Sequence, residues 1–432
     1  MDMKVLMFGW EFPPHISGGL GTACYGLTKG LVNNDVEVLF VMPSATGDED
    51  QTSVKIIDAS DIEVSERCSD VKDFLEKVQF IRIGSNMIPY VDPKEFTEMM
   101  THLQEGQIED FKLGIGKKYK FSGKYGTNLM EEVARYALVA GEIAMRHDFD
   151  IIHAHDWLTY LAGIAAKRIS GKPLVVHMHA TEFDRSGQNI NTEVYDIERI
   201  GMREADVVIA VSHLTRNIVI NKYGINPEKV VTVHNAVDFQ GFQNVQVDRG
   251  VPEKIVTFLG RITYQKGPEY FIEAAKKVIK NYPDVRFVMA GNGDLLNRCI
   301  RHVAKLRIAD RFHFTGFLKG AEVKEMFAYS DVYVMPSVSE PFGISPLEAM
   351  RSNVPVIISK QSGVAEVLKH AIKVDFWDID AMADSIYGLL SYPALSKMAV
   401  QNGLEEVNSL KWDGAAYSVK EIYSRLLKNK KK

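Results

Sequence analysis

Cysteine is scarce in this chain. Cys24, Cys68 and Cys299 are the only three in 432 residues, and they stand in no spacing that a zinc site or a disulfide framework uses. A disulfide-stapled secreted scaffold is thereby excluded, and a reducing, cytoplasmic setting is expected. Long apolar runs are missing as well: none reaches the roughly 18 residues that a membrane-spanning helix needs. Peripheral contact with a membrane stays open. The apolar stretch from Val5 to Phe8 soon meets Glu11 and Pro13-Pro14, so no secretory leader is expected. There is no strong excess of one charge either. A net charge of -5 gives no reason to expect nucleic acid or an anionic surface as partner. The basic end Lys428-Asn429-Lys430-Lys431-Lys432 reads as a solvated tail.

What is present is an ordinary globular composition, 46% hydrophobic and 25% charged, in a chain long enough for two domains of about 200 residues. Two stretches share a pattern. Lys4-Val5-Leu6-Met7-Phe8-Gly9 reads as a buried strand, followed by the loop Gly18-Gly19-Leu20-Gly21 and a helix from about Thr22 to Val32. Ile255-Val256-Thr257-Phe258-Leu259-Gly260 reads the same way, with a loop ending Lys266-Gly267 and a helix from about Glu269 to Lys280. Each is the opening strand–loop–helix of a doubly wound unit. Short β runs alternating with helical stretches continue through both halves, so the fold class expected is α/β with mostly parallel sheets covered on both faces.

The first domain is expected over 1–240, the second over 250–408, with the boundary in the polar stretch 238–253. A final helix within 409–432, after Trp412, is expected to pack across the junction. Residues 58–125 fit the alternation poorly and read as an insertion on the first domain, with one strand at Phe80–Ile83.

In doubly wound sheets ligands bind at the carboxyl ends of strands. The segment Ser337-Val338-Ser339-Glu340-Pro341-Phe342-Gly343-Ile344-Ser345-Pro346-Leu347-Glu348 leaves the strand run Asp331–Met335 and carries two carboxylates around a helix start. Ser345, Pro346 and Glu348 fit an N-cap, a first-turn proline and a capping-box glutamate, and Glu348 reads as a cap or as a ligand group. Glu340 has no such local explanation. Unpaired amides at the helix start favour an anion. Arg261 and Lys266, in the glycine-flanked loop after the second domain's first strand, suit a diphosphate; the alternative is a pair of solvated cations. Gly18 and Gly19 let the backbone approach a phosphate or sugar. Asp150–Trp157 ends a strand in His153, His155 and Asp156, with His153 inside the strand and His155 at its end, able to face a cleft. His177 and His179 repeat the spacing. No cysteine joins these histidines and alternate residues need not converge, so no metal is expected.

Taken together, Ser17-Gly18-Gly19-Leu20, His153-Ala154-His155-Asp156-Trp157, Gly260-Arg261 with Lys266-Gly267, and Glu340 with Glu348, separated by seven residues, resemble the retaining glycosyltransferases of family 4. These have the GT-B fold, shared by glycogen and starch synthases, in which two Rossmann-like domains face a central cleft. His-Ala-His-Asp-Trp is similar to the glycogen-synthase branch. The resemblance implies that Arg261 and Lys266 hold the donor diphosphate, Glu340 contacts the transferred sugar and Glu348 the nucleotide ribose. It also implies amides around Phe342, Gly343 and Ile344 on the sugar and phosphate, His155 beside the reacting sugar, and Gly18 and Gly19 beside the phosphate. The chain departs from the family at Ser362-Gly363-Val364-Ala365-Glu366, at Asn235-Ala236-Val237-Asp238, and at His15-Ile16-Ser17, where bacterial glycogen synthases carry a lysine. The donor expected is UDP-glucose or ADP-glucose, with no cofactor. The acceptor expected is an α-glucan, or otherwise a cell-surface or lipid-linked glycan. A nucleotide-sugar epimerase and a non-catalytic nucleotide-sugar binder are the readings from other classes.

Overall fold

The computed structural model describes residues 3–15, 19–51, 54–77, 113–123, 125–126, 128–237 and 247–430. The chain forms two compact units. One runs from the N-terminal stretch through Phe183, then over Gly187–Asn235, and takes back the chain from Trp412 onward; the other holds Asp184–Ser186 and Ala236–Lys411.

The first unit is built on β1 (Met3–Phe8), β2 (Val36–Met42), β3 (Lys55–Asp58), β4 (Ile151–His155), β5 (Leu174–Met178), β6 (Val207–Ala210) and β7 (Val230–Thr232), in the order β3-β2-β1-β4-β5-β6-β7. Every neighbouring pair is parallel. Strands such as Ile-Ile-His-Ala-His and Leu-Val-Val-His-Met are buried at every position, as central strands covered on both faces must be. Helices alternate with the strands and end on recognisable signals. Asn191 caps helix Thr192–Glu204 through the amides of Glu193 and Val194. Ser212 caps helix His213–Tyr223, which stops at Gly224 in the left-handed region.

The second unit repeats the plan with β8 (Lys254–Leu259), β9 (Val285–Ala290), β10 (Phe312–Gly316), β11 (Val332–Met335), β12 (Val356–Ser359) and β13 (Ile372–Val374), in the order β10-β9-β8-β11-β12-β13, again all parallel. In both sheets the winding reverses beside the first strand, between β1 and β4 and between β8 and β11. Such reversals open a crevice at the carboxyl ends of the two strands.

The segment after β3 packs into the first unit where it is described. Val64, Cys68, Val71 and Leu75 are fully buried in the first unit's core, and helix Ser69–Lys77 lays Val71 within 3.3 Å of where a Cβ on Gly141 would stand. The strand expected at Phe80–Ile83 lies outside the described residues, as does Gly18. The final helix, Trp412–Lys430, belongs to the first unit, where it packs on helix Gly19–Asn33. Asn33 and Asn34 both hydrogen-bond to Asp413, and Lys420 reaches the carbonyl of Asn34. Gly26 and Gly30 make room for it: a Cβ on Gly26 would stand 2.2 Å from the Trp412 indole nitrogen, and one on Gly30 would stand 2.7 Å from the Trp412 carbonyl.

Candidate functional site

In the second unit the loops leaving β8 and β11 meet at the sheet's reversal. Val338 N donates to Gln265 O at 2.9 Å and ties them together. Gly267, at φ 63°, has Pro336 O 2.2 Å from the point a Cβ would occupy, so only glycine lets the loops close up. Lys266 lies at the end of the first loop and its ammonium pairs with the Glu340 carboxylate. Ser337 Oγ donates to the same carboxylate at 3.1 Å. The backbone of Glu340 is fixed too: its N–H donates to Gln361 O at 3.0 Å and its carbonyl accepts from Gly363 N at 2.9 Å. Lys266 is therefore no solvated surface cation. It and Glu340 form a mostly buried pair held ready at a strand end. Arg261 Nη2 reaches Gln265 Oε1 at 3.3 Å. Burial raises the Asp294 carboxyl, with Arg261 pulling the other way.

Gly343 sits at φ 98°, where a Cβ would press on Glu340 Cγ and Met335 Sδ at 3.1 Å. Phe342 is buried and its carbonyl accepts from Val364 N at 2.7 Å. Ile344 caps helix Ser345–Arg351, with no side-chain cap bond. This corrects the capping-box expectation for Ser345 and Glu348. Ser345 is already helical, and Glu348 N makes a regular bond to Ile344 O at 3.2 Å, one position too late for a box. The helix terminus thus gives the Glu348 carboxyl no role. Burial pushes it up to about 7, with Lys324 pulling the other way. The carboxyl can be neutral or charged near neutral pH.

In the first unit, Gly19 opens helix Gly19–Asn33 after β1, and a Cβ there would meet nothing within 4 Å. Packing does not require a glycine at this position. His155 is the last residue of β4 and fully buried, which corrects the expectation that its ring faces a cleft. The partly exposed imidazole is His179, just past β5, and His155 Nδ1 lies 2.9 Å from His179 Nε2 behind it. Residues two apart share a sheet face, and β4 and β5 run in register at His155↔His177. The four rings therefore stack: His153 on His155 at 4.3 Å and 17°, His177 on His179 at 4.4 Å and 20°, His153 against His177 at 5.4 Å and 13°. His153 Nδ1 meets the Tyr423 hydroxyl of the final helix. His153 Nε2, His155 Nε2 and both nitrogens of His177 are buried with no hydrogen-bond partner among the described residues.

Burial holds all four imidazoles neutral, His179 down to about 3 and the others well below their usual value. Nitrogens of His153, His155 and His177, and ligand atoms of Cys24, His155 and His179, cluster closely enough to raise the metal question. The first set is argued against by its stacking. An imidazole holds its ion in the ring plane, and nearly parallel planes several ångströms apart do not share one ion.

Asp156, which follows His155, has φ 61° and ψ 170°, a conformation costing a non-glycine residue roughly 1–3 kcal/mol. Its amide donates to His177 O at 2.9 Å and its side chain, though at the N-cap of helix Trp157–Ser170, caps nothing. Sequence reasoning assigned no role to His179 or Asp156. The signal for His179 was available, since it follows β5 as His155 follows β4; backbone strain at Asp156 has no local signature.

Residues 241–406 match the model of group 1 glycosyl transferases, and residues 124–240 that of glycosyltransferase family 4. The chain is 28% identical to an uncharacterized glycosyltransferase of Methanocaldococcus jannaschii, over 98% of each chain. It is 25% identical to a glycogen synthase of Mycobacterium tuberculosis, over 98% of this chain and 94% of that one. It is 26% identical to the UDP-Gal:alpha-D-GlcNAc-diphosphoundecaprenol alpha-1,3-galactosyltransferase of Escherichia coli, over 67% of this chain and 79% of that one. Among solved structures it resembles a sucrose-phosphate synthase from Thermosynechococcus elongatus, with a TM-score of 0.71 at 16% identity over 99% and 100% of the two chains. It also resembles the Anabaena protein HepE in complex with UDP-glucose, with a TM-score of 0.64 at 16% identity over 98% and 100%. Two parallel Rossmann-like sheets, a family signature on each half and enzyme relatives along nearly the whole length agree: the chain is a glycosyltransferase of the GT-B type.

Proposed function

We propose that the chain moves glucose from UDP-glucose or ADP-glucose to a hydroxyl of an α-glucan, retaining the configuration at C1 and using no metal ion. The observation that carries this reading is the buried Lys266–Glu340 pair at the β8/β11 reversal. An incoming diphosphate takes Lys266 as its counter-charge, and the freed Glu340 carboxylate accepts from sugar hydroxyls. Arg261 supplies a second cation, and the amides around Phe342, Gly343 and Ile344 supply neutral donors. Glu348, in its charged form, accepts from ribose hydroxyls.

In the reaction, the bond from C1 to the diphosphate oxygen breaks while the acceptor oxygen bonds to C1 on the same face. The acceptor's proton passes to the leaving phosphate. Fixed donors aimed at the departing charge each contribute about 3 kcal/mol of transition-state stabilisation. Lys266 and Arg261 serve where a divalent ion would otherwise act as electrophile. Gly19 and His179 bind substrate oxygens on the first unit, with His155 standing behind His179. The glycogen synthase relative supports the α-glucan, and the UDP-glucose complex of a structural neighbour supports a uridine donor. Three buried free thiols support a reducing compartment. A second reading, a lipid-linked glycan as acceptor, is favoured by the Escherichia coli relative.

The test is release of nucleoside diphosphate from each donor, with and without glycogen, following label into polymer. Glycogen-dependent release with labelled glucan supports the proposal. Donor binding that glycogen does not affect turns the acceptor toward the lipid-linked class. Conversion of donor alone makes the chain an epimerase or hydrolase, and tight binding without any release makes it a binder.

A further inference from the structure

We infer that His155 is a positioning residue which sets the tautomer of His179, so that His179 presents an Nδ1–H donor to substrate. The substrate part of this claim rests on the function proposed above.

One proton lies between His155 Nδ1 and His179 Nε2, 2.9 Å apart, because burial keeps both rings neutral. Two arrangements are available. If His179 Nε2 donates, His155 must carry its own proton on Nε2, and that nitrogen is buried with no partner among the described residues. A donor would then be left without an acceptor. If His155 Nδ1 donates, the orphan at Nε2 is a bare lone pair instead. Buried N–H groups without acceptors are rarer and costlier than under-used acceptors. The second arrangement is therefore favoured, and it obliges His179 to hold its proton on Nδ1.

The His155 ring cannot turn freely to escape this. It is stacked on His153 at 4.3 Å and against His177 at 5.3 Å, and His153 is in turn bonded to Tyr423 of the final helix. His179 is the one member of the stack that is not fully buried, and its Nε2 faces His155, so Nδ1 is the nitrogen left for a ligand. An isolated imidazole prefers its proton on Nε2. The inferred state is the opposite, which makes it a sharp target.

The experiment is long-range 1H–15N correlation on the full chain labelled at histidine, with His179 assigned by the signals lost in His179→Gln. The expected wild-type pattern at pH 7.5 has His179 protonated on Nδ1. In His155→Leu, which removes the inner donor, His179 should move toward the Nε2–H form. In His155→Asn, whose amide nitrogen stands near the place of Nδ1, the wild-type pattern should persist. Turnover should follow the tautomer: kcat down about tenfold in the leucine variant with KM for donor changed less than twofold, and kcat close to wild type in the asparagine variant. A wild-type His179 protonated on Nε2 overturns the inference by itself, whether or not the leucine variant folds. So does a tautomer that His155→Leu leaves unmoved, or a shifted tautomer with unchanged kcat. If the wild type turns over neither donor, the proposed function fails while the spectra still decide the tautomer.

Discussion

Glu348 is the site carboxyl whose charge pH controls near neutrality. Its value in the folded chain, about 7, lies above its ordinary 4.5, so between those values the folded state holds a proton that the unfolded state has lost. Stability is therefore lost as pH rises through that window. Glu348→Gln removes the cost of charging the group, so it should raise Tm at pH 8 and leave it unchanged at pH 4, read by scanning calorimetry. An equal shift at both pH values would contradict the assignment. Glu340 is held by Lys266 and Ser337. Glu340→Ala should cut nucleoside diphosphate release by about a hundredfold or more. It should also destabilise the fold by about 1–2 kcal/mol, because the partly exposed Lys266 recovers some hydration. Normal turnover in a folded variant would remove Glu340 from the site.

At the level of elements, the contact between helix Gly19–Asn33 and the final helix depends on the absence of a side chain. Alanine at Gly26 would favour the helix by about 1 kcal/mol. It would also place a methyl 2.2 Å from the Trp412 indole, and overpacking of this kind costs about 1–3 kcal/mol. Gly26→Ala should thus lower the urea midpoint, and Gly26→Ala with Trp412→Leu should recover much of the loss; a gain in the single variant would contradict this packing.

This contact also marks what was legible in the sequence. The strand run ending at Met335 was readable to within a residue, because local hydrophobic pattern and breakers define it. The β–loop–α openings and the residues at their strand ends were legible for the same reason. The Gly26–Trp412 fit was not, since it joins positions remote in sequence. Nor was the register of helix Ser345–Arg351, where Ser-Pro-x-Glu fits a cap one residue away from the one formed. His155 was misplaced because strand alternation fixes the face a ring takes, not what covers it.

Across the whole molecule, one strand order is used twice, and each sheet brings its chemistry to the same reversal: Gly19, His155 and His179 on one, Arg261, Lys266 and Glu340 on the other. The histidine stack makes the first unit sensitive to acid. Its four pKa values are depressed in the folded chain, so its contribution to stability is whole above about 6.5 and is lost progressively as pH falls below it. Each ring that stays neutral should cost about 1.4 kcal/mol per pH unit below 6.5. Urea midpoints should therefore drop between pH 7 and pH 5, less so in His177→Phe; a flat profile would contradict a neutral stack.

The proposed function requires that the β8/β11 reversal hold a nucleoside diphosphate sugar. Calorimetric titration of UDP-glucose and ADP-glucose into the wild type and Lys266→Ala asks this directly. The wild type should bind at least one donor, and Lys266→Ala should weaken that binding by at least about tenfold, the range of a charge-assisted hydrogen bond. Equal affinity in a folded Lys266→Ala variant would contradict it.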